Sequence, residues 1–248
     1  MINIFYILLL ISLSYLLLKN SYLLLFINNK LLEYFTPNTP HIYLTNHQPW
    51  LNFRYNYSII KKEYYLFIKN VHYPELFYKQ EKTTSEKIDI NKSWRSIFLR
   101  VYGKNTDYVK YFPETLNLIN TVDCVTALFS ILEPGTKLLP HRGIDKGVLR
   151  YHIALTVPIN YEDCFMLIKG HNGVNKYAWQ EGHDILFDDL FEHCVENNTN
   201  ETRVILLLDI KKEFNNNLLK MIHNSVVNNI SKNKLIINTM DNINNNLK

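Results

Sequence analysis

The second half of the chain narrows its possible folds more than any other feature. From Val125 to Asp209, apolar runs recur that are too short for ordinary helices: Val125 to Leu132, Val148 to Val157, Cys164 to Ile168, Ile185 to Phe187 and Val204 to Asp209. They are separated by Pro-Gly, by Gly-Ile-Asp-Lys-Gly and by Asn-rich stretches, which is the chemistry of tight turns. Several short strands at this spacing bury their apolar faces by packing sheet on sheet, as a sandwich or barrel. The 248 residues are 47% hydrophobic and 20% charged, with seven Gly and eight Pro, so the chain can bury a sizeable core and is neither collagen-like nor wholly disordered. The formal charge of +4 is dispersed and does not indicate a nucleic-acid partner. Cys124, Cys164 and Cys194 form no CxxC pair and read as buried thiols, not as a disulfide framework or zinc site.

The N-terminus carries a different pattern. Ile2 to Leu18 is nearly all Ile, Leu, Phe and Tyr, and after Lys19-Asn20-Ser21 a second apolar run extends from Tyr22 to Ile27. A bilayer core takes roughly 20 apolar residues in a helix, so residues 1–28 are expected to form one membrane anchor. No Lys or Arg precedes the run and no small-x-small site follows it, which argues against a cleaved signal peptide. Lys19 and Lys30 give a thin vote for a cytosolic domain behind a single-pass anchor, and the side stays open. Residues 29–52, with Thr36-Pro37-Asn38-Thr39-Pro40, are expected as a linker, and residues 53–212 as the folded domain. Within that domain, Tyr57 to Ile68 has helical spacing and Lys79 to Lys92 is charged and turn-like. Residues 213–248 are expected to form an amphipathic helix with an Asn-rich tail.

Polar residues interrupt the strand pattern in a concentrated way. In the run from Leu149 to Leu155, Leu149, Tyr151, Ile153 and Leu155 share one strand face while Arg150 and His152 share the other. Leu139-Pro140-His141-Arg142-Gly143 lies just upstream, Asp188-Asp189 through His193 downstream, and Arg203 opens the last strand. Burying an Arg is costly without an anion. Arg150 and Arg203 therefore need carboxylate partners, supplied by a ligand or internally by Asp188, Glu192 or Asp209. His41, His47, His72, His171, His183 and His223 read as satisfied structural histidines, and Trp50, Trp94 and Trp179 as core or rim packing.

These blocks carry a resemblance. Phe129-Ser130-Ile131-Leu132-Glu133-Pro134-Gly135, Pro140-His141-Arg142-Gly143, Lys146 through His152, Trp179 with Glu181-Gly182, Phe187-Asp188-Asp189 through His193, and Arg203 to Asp209 together resemble the aspartyl/asparaginyl β-hydroxylase family. The likeness runs over roughly Trp94 to Asp209, and Phe112-Pro113-Glu114-Thr115 looks like the family's Pro-x-Thr block. It implies an α+β protein with a double-stranded β-helix core, jelly-roll or cupin-like, with flanking helices and an N-terminal transmembrane helix. It also implies an Fe(II)- and 2-oxoglutarate-dependent dioxygenase, which uses O2 to hydroxylate an unactivated C–H and releases succinate and CO2. By the same resemblance His141 and His193 are the iron-binding and catalytic histidines. Arg203 pairs with the distal carboxylate of 2-oxoglutarate, with Ser130 adding a hydroxyl, and Arg150 and His152 face the iron-proximal carboxylate. Arg150 could instead meet a substrate carboxylate. Asp188 or Asp189 is expected to orient His193.

One position departs from the usual pattern. A carboxylate commonly stands two residues after the first iron-binding histidine, and here that residue is Gly143. Animal members of the family resemble this chain at that position, whereas the Arg150-Tyr151-His152 block and short architecture look like the bacterial, lipid-associated branch. Asp145 is nearby, but its spacing is wrong for the standard turn. The expected substrate is an Asp or Asn side chain of a protein. A lipid or acyl-chain substrate, and a binding module without oxygen activation, are the alternatives.

Overall fold

The computed structural model describes residues 20–36, 38–70 and 93–245. In chain order the elements are helix α1 (Ser21–Phe35), strand β1 (Ile42–Tyr43), helices α2 (Trp50–Tyr55) and α3 (Tyr57–Asn70), strands β2 (Trp94–Val101) and β3 (Lys104–Asn105), and helix α4 (Pro113–Ile119). Eight strands follow: β4 (Cys124–Leu132), β5 (Lys137–His141), β6 (Val148–Thr156), β7 (Cys164–Gly170), β8 (Gly173–Ala178), β9 (Asp184–Phe187), β10 (His193–Asn197) and β11 (Arg203–Lys211). Helices α5 (Asn217–Ile230) and α6 (Lys234–Asn245) complete the described chain.

Two sheets form, ordered β1-β9-β6-β11-β4-β2-β3 and β5-β10-β7-β8. From β4 to β11 the chain passes back and forth between them, except that β7 and β8 form a hairpin within the smaller sheet, and every pairing among the described residues is antiparallel. This is the connectivity of a jelly roll, the expected double-stranded β-helix. Strands β4 and β11 are apolar along almost their whole length because they lie mid-sheet, buried on both faces.

The pairing of β6 with β11 sets the faces. Tyr151 stands opposite Leu208 and Ile153 opposite Leu206, while Arg150 is opposite Asp209 and His152 opposite Leu207. The division read from the alternation of Leu149 to Leu155 therefore holds. The apolar face packs under helices: the Tyr151 ring stacks on Trp50 of α2 at 4.7 Å, and Phe129 meets Tyr64 of α3 at 5.3 Å and Phe112 at 4.8 Å. The other face looks toward the smaller sheet. Asp184, at the start of β9, ties this layer together by accepting from Arg54 Nε at 2.7 Å, Thr45 Oγ1 at 3.1 Å and Tyr151 OH at 2.9 Å.

The N-terminus differs from expectation. Among the described residues no helix is long and apolar enough to cross a membrane. Ser21 to Ile27, the second part of the expected span, instead belongs to α1, which lies on α5. Leu25 packs with Val226 and Ile230, and Ser21 Oγ donates to Asn229 Oδ1 at 3.3 Å. The physical reason is the polar content that starts at Asn20: its side chain caps α1 by accepting from Leu23 N, and Asn28 is buried against His223. The single-pass placement with a cytosolic domain is corrected accordingly, and the remainder of the expected span, residues 1–19, lies outside the described residues. The stretch expected as a linker contains the end of α1 and β1, which pairs with β9. The charged segment from Lys79 to Lys92 also lies outside the described residues. The C-terminal region forms two helices where one with a tail was expected.

Candidate active site

His141 ends β5 and His193 opens β10, and the two stand directly opposite each other across that strand pair. Their ring centroids are 4.2 Å apart. Each ring is fixed in the same way. His141 Nδ1 donates to Leu139 O at 2.7 Å and His193 Nδ1 donates to Phe191 O at 2.8 Å, a tautomer that leaves Nε2 of each as a lone-pair donor. Burial lowers the pKa of both, that of His193 to about 3 with His141 adding to the effect. Two neutral imidazoles on one strand pair can hold a divalent first-row transition metal. The expectation that Asp188 or Asp189 orients His193 is not met, because the carbonyl two residues back takes its N–H. Asp188 accepts from Lys212 Nζ at 2.6 Å and from Leu190 N at 3.1 Å instead.

Deeper between the sheets, Arg203 is 2% exposed and makes no ion pair among the described residues. Its guanidinium lies 4.7 Å over the Trp179 ring and donates to Ser130 Oγ at 3.3 Å, and its Nε has no partner. Ser130 Oγ is itself held by Trp94 Nε1 at 2.9 Å. Burial lowers the Arg203 pKa to about 10, so it stays charged at neutral pH. His152 lies close to Trp179, with ring centroids 6.1 Å apart, and among the described residues neither of its ring nitrogens has a partner. Burial, reinforced by Arg203, keeps its pKa well below the ordinary value. An unpaired buried guanidinium with open donors beside it is costly unless an anion completes it. The cluster of Arg203, Ser130 and His152 thus has the chemistry of a carboxylate site, and its donors suit one end of a small dicarboxylic acid.

Arg150 shares a face with His152, as the alternation indicated, but its charge is already met. It binds Asp189 Oδ2 at 3.1 Å and Asp209 Oδ1 at 2.9 Å. Of the internal partners weighed in the sequence, Asp209 is one; Asp189 was not among them. Asp189 is fully enclosed, and burial pushes its pKa up against the pull of Arg150. It also answers the question raised at Gly143. A side chain at 143 would collide with the Asp189 carboxylate, and Gly143 N donates to Asp189 O at 2.7 Å. The room that a carboxylate two residues after His141 would use is thus filled from β9's end. Among the described residues no cluster of three His, Cys, Asp or Glu is set to hold a metal. Asp145 turns away from the histidine pair, accepting from Gly147 N at 2.8 Å and facing His223.

Of the histidines read as structural, His72 lies outside the described residues, and His47 and His183 are exposed. His41 and His171 flank the Phe191 ring at 5.7 and 4.9 Å, and His223 is buried between α1 and the 143–147 loop. Asp189 is the site residue that sequence reasoning undervalued; its signal was present in the adjacency of two acidic residues to the second histidine.

Residues 54–213 match the sequence profile of a family described as aspartyl/asparaginyl beta-hydroxylase. The chain is 38% identical over 132 residues to the ornithine lipid ester-linked acyl 2-hydroxylase of Rhizobium tropici, covering 52% of this chain and 46% of that protein. It is 32% identical over 142 residues to the aspartyl/asparaginyl beta-hydroxylase of Mus musculus, covering 54% of this chain and 18% of that protein. It thus spans less than half the length of these curated relatives. Among solved structures, a Pseudomonas putida prolyl-4-hydroxylase aligns over 77% of this chain and 100% of that one, with a TM-score of 0.45 and 12% identity.

Proposed function

This chain belongs to the aspartyl/asparaginyl β-hydroxylase family, and we propose that it is an Fe(II)- and 2-oxoglutarate-dependent hydroxylase. The observation that carries the reading is the uncompensated buried Arg203 guanidinium, linked through Trp179 to His152 and through Phe187, 5.1 Å from the His152 ring and 5.5 Å from that of His193, to the histidine pair. His141 and His193 would hold the metal through Nε2, with their orientations preset by Leu139 O and Phe191 O. Arg203 and Ser130 would bind the distal carboxylate of 2-oxoglutarate, and the unpartnered nitrogens of His152 would serve its other polar end. When bound, the metal and 2-oxoglutarate supply O2 activation coupled to decarboxylation, which is chemistry beyond protein side chains. The chain's own residues bind, orient and exclude water. Neutral His141 and His193 keep their lone pairs available near neutral pH, Trp179 covers the Arg203 guanidinium, and Arg150 is held by Asp189 and Asp209 so that it braces the wall of the site.

For the substrate, an acyl chain is favoured over a protein Asp or Asn side chain. Arg150, the residue that could have met a substrate carboxylate, is engaged by two internal carboxylates. The residues flanking His141 toward solvent, Leu139 and Ile144, are exposed and apolar. The test offers the full-length protein, loaded with Fe(II) and 2-oxoglutarate, an acylated amino-acid lipid and Asp- or Asn-containing peptides in parallel. The reading expects a 16-Da gain on the acyl chain together with stimulated succinate release. A gain on the peptide alone would return the assignment to a protein hydroxylase, and no gain on either would refute both substrates.

A further inference from the structure

The loop that leaves His141 is gripped by helices that lie outside the family-matched region. Asn29 of α1 reads the loop backbone with both ends of its amide: Nδ2 donates to Ile144 O at 2.7 Å, and Oδ1 accepts from Lys146 N at 3.0 Å. One residue earlier on α1, buried Asn28 bonds the His223 ring of α5, Nδ2 to Nδ1 at 3.3 Å. That ring lies so closely against Gly147 that any side chain at 147 would collide with it. Lys212 N, leading from β11 toward α5, donates to Gly147 O at 2.8 Å. At its other end the same loop is tied to the site, through Gly143 N on Asp189 O and through the Asp189 to Arg150 pair.

We propose that α1, through Asn29, is a positioning element for the metal site, fixing the 143–147 loop and so the placement of His141 and Asp189. The inference rests on the reading of His141 and His193 as metal-binding residues. A two-histidine site takes its geometry from fewer protein ligands than a full triad, so the segment carrying one ligand has to be held by contacts outside it. A paired amide-to-backbone contact does this with direction, which apolar packing of α1 alone would not provide. Asn29 touches neither reacting groups nor cosubstrate, and its role is exerted through the loop.

The test compares Asn29→Ala with Ser21→Ala in the full-length protein. Ser21 bonds Asn229 and receives Asn233 Nδ2 at 3.0 Å, so its loss loosens α1 on α5 two turns away without touching the loop. Mn(II) binding in the presence of 2-oxoglutarate is followed by electron paramagnetic resonance, and amide exchange is followed across residues 143–147. The expected result is that Asn29→Ala accelerates loop exchange and weakens Mn(II) binding roughly tenfold, the low end for losing a contact that orients a metal ligand, while Ser21→Ala changes neither. Unchanged Mn(II) affinity in Asn29→Ala, or equal weakening in both variants, would overturn the proposal. Failure of the unaltered protein to bind Mn(II) would instead remove the metal reading itself, and the positioning role with it.

Discussion

Replacing Gly143 by Ala probes the contact that stands in for the usual carboxylate. Gly143 is not among the residues with positive φ, so Ala is acceptable to the backbone and the only obstacle is steric. Its methyl group would occupy the position of the Asp189 carboxylate, which is 2% exposed and anchored to Arg150 at 3.1 Å. The carboxylate cannot swing aside without breaking that ion pair, and its own backbone carbonyl is bonded to Gly143 N. Forcing a methyl group into a filled site costs about 1–3 kcal/mol. At about 2–4 °C per kcal/mol for a chain of this size, the midpoint should fall by about 2–12 °C. Equilibrium urea unfolding of the unaltered chain, Gly143→Ala, Asp189→Ala and the double variant closes a cycle. With Asp189 truncated, Ala at 143 should cost almost nothing, giving a coupling of at least ~1 kcal/mol. The same cost for Gly143→Ala in both backgrounds, or no cost in the unaltered chain, would refute the reasoning. Gly143→Asp is expected to be worse still and to create no third metal ligand.

Arg203→Met should weaken 2-oxoglutarate binding by about 30-fold or more, since losing one partner of a buried charge pair costs about 2 kcal/mol at the least. It should leave the ligand-free chain as stable or more so, because it removes a buried charge without a counter-ion; calorimetric titration and thermal melting check the two halves. Asp184→Asn weakens the acceptor shared by Arg54, Thr45 and Tyr151, and should cost about 2–3 kcal/mol of stability in urea unfolding. Asp145 has its pKa raised by burial to about 6, above an unfolded value of about 3.9. The folded state therefore holds that proton more tightly, and the stability this contributes is complete below about pH 4 and lost as pH rises through 6. Asp145→Asn keeps an acceptor for Gly147 N and should gain on the unaltered chain between pH 4 and 6. The advantage should level off at on the order of 2–3 kcal/mol above that range, and a flat difference across those pH values would contradict it.

What could be read from the sequence follows from which interactions are local. The alternation around Arg150 and His152 is a property of one strand, so the faces were legible, and the long apolar strands β4, β6 and β11 were found to within a residue or two. Strands β5 and β10 carry the two histidines but were not seen as strands. Lys137 to His141 contains a Pro and His193 to Asn197 is half polar, because both run along the edge of the site. The orientation of His193 escaped because its acceptor is a backbone carbonyl, invisible to residue type. The meaning of Gly143 required a contact across 46 positions, Gly143 against Asp189, which no local pattern carries. Hydropathy misled over Tyr22 to Ile27 because it does not register that the flanking Asn20, Ser21 and Asn28 are committed to a cap, to Asn229 and to His223.

The central claim is that a neutral histidine pair and an uncompensated buried arginine together make an Fe(II) and 2-oxoglutarate site. It is tested most directly by following succinate formation from 2-oxoglutarate on admitting air to the full-length protein loaded with Fe(II) under anaerobic conditions. The account predicts succinate release that is lost in His141→Ala and His193→Ala, and that needs far more 2-oxoglutarate in Arg203→Met. A folded protein that binds neither Fe(II) nor 2-oxoglutarate, or one whose turnover is indifferent to all three substitutions, would contradict it.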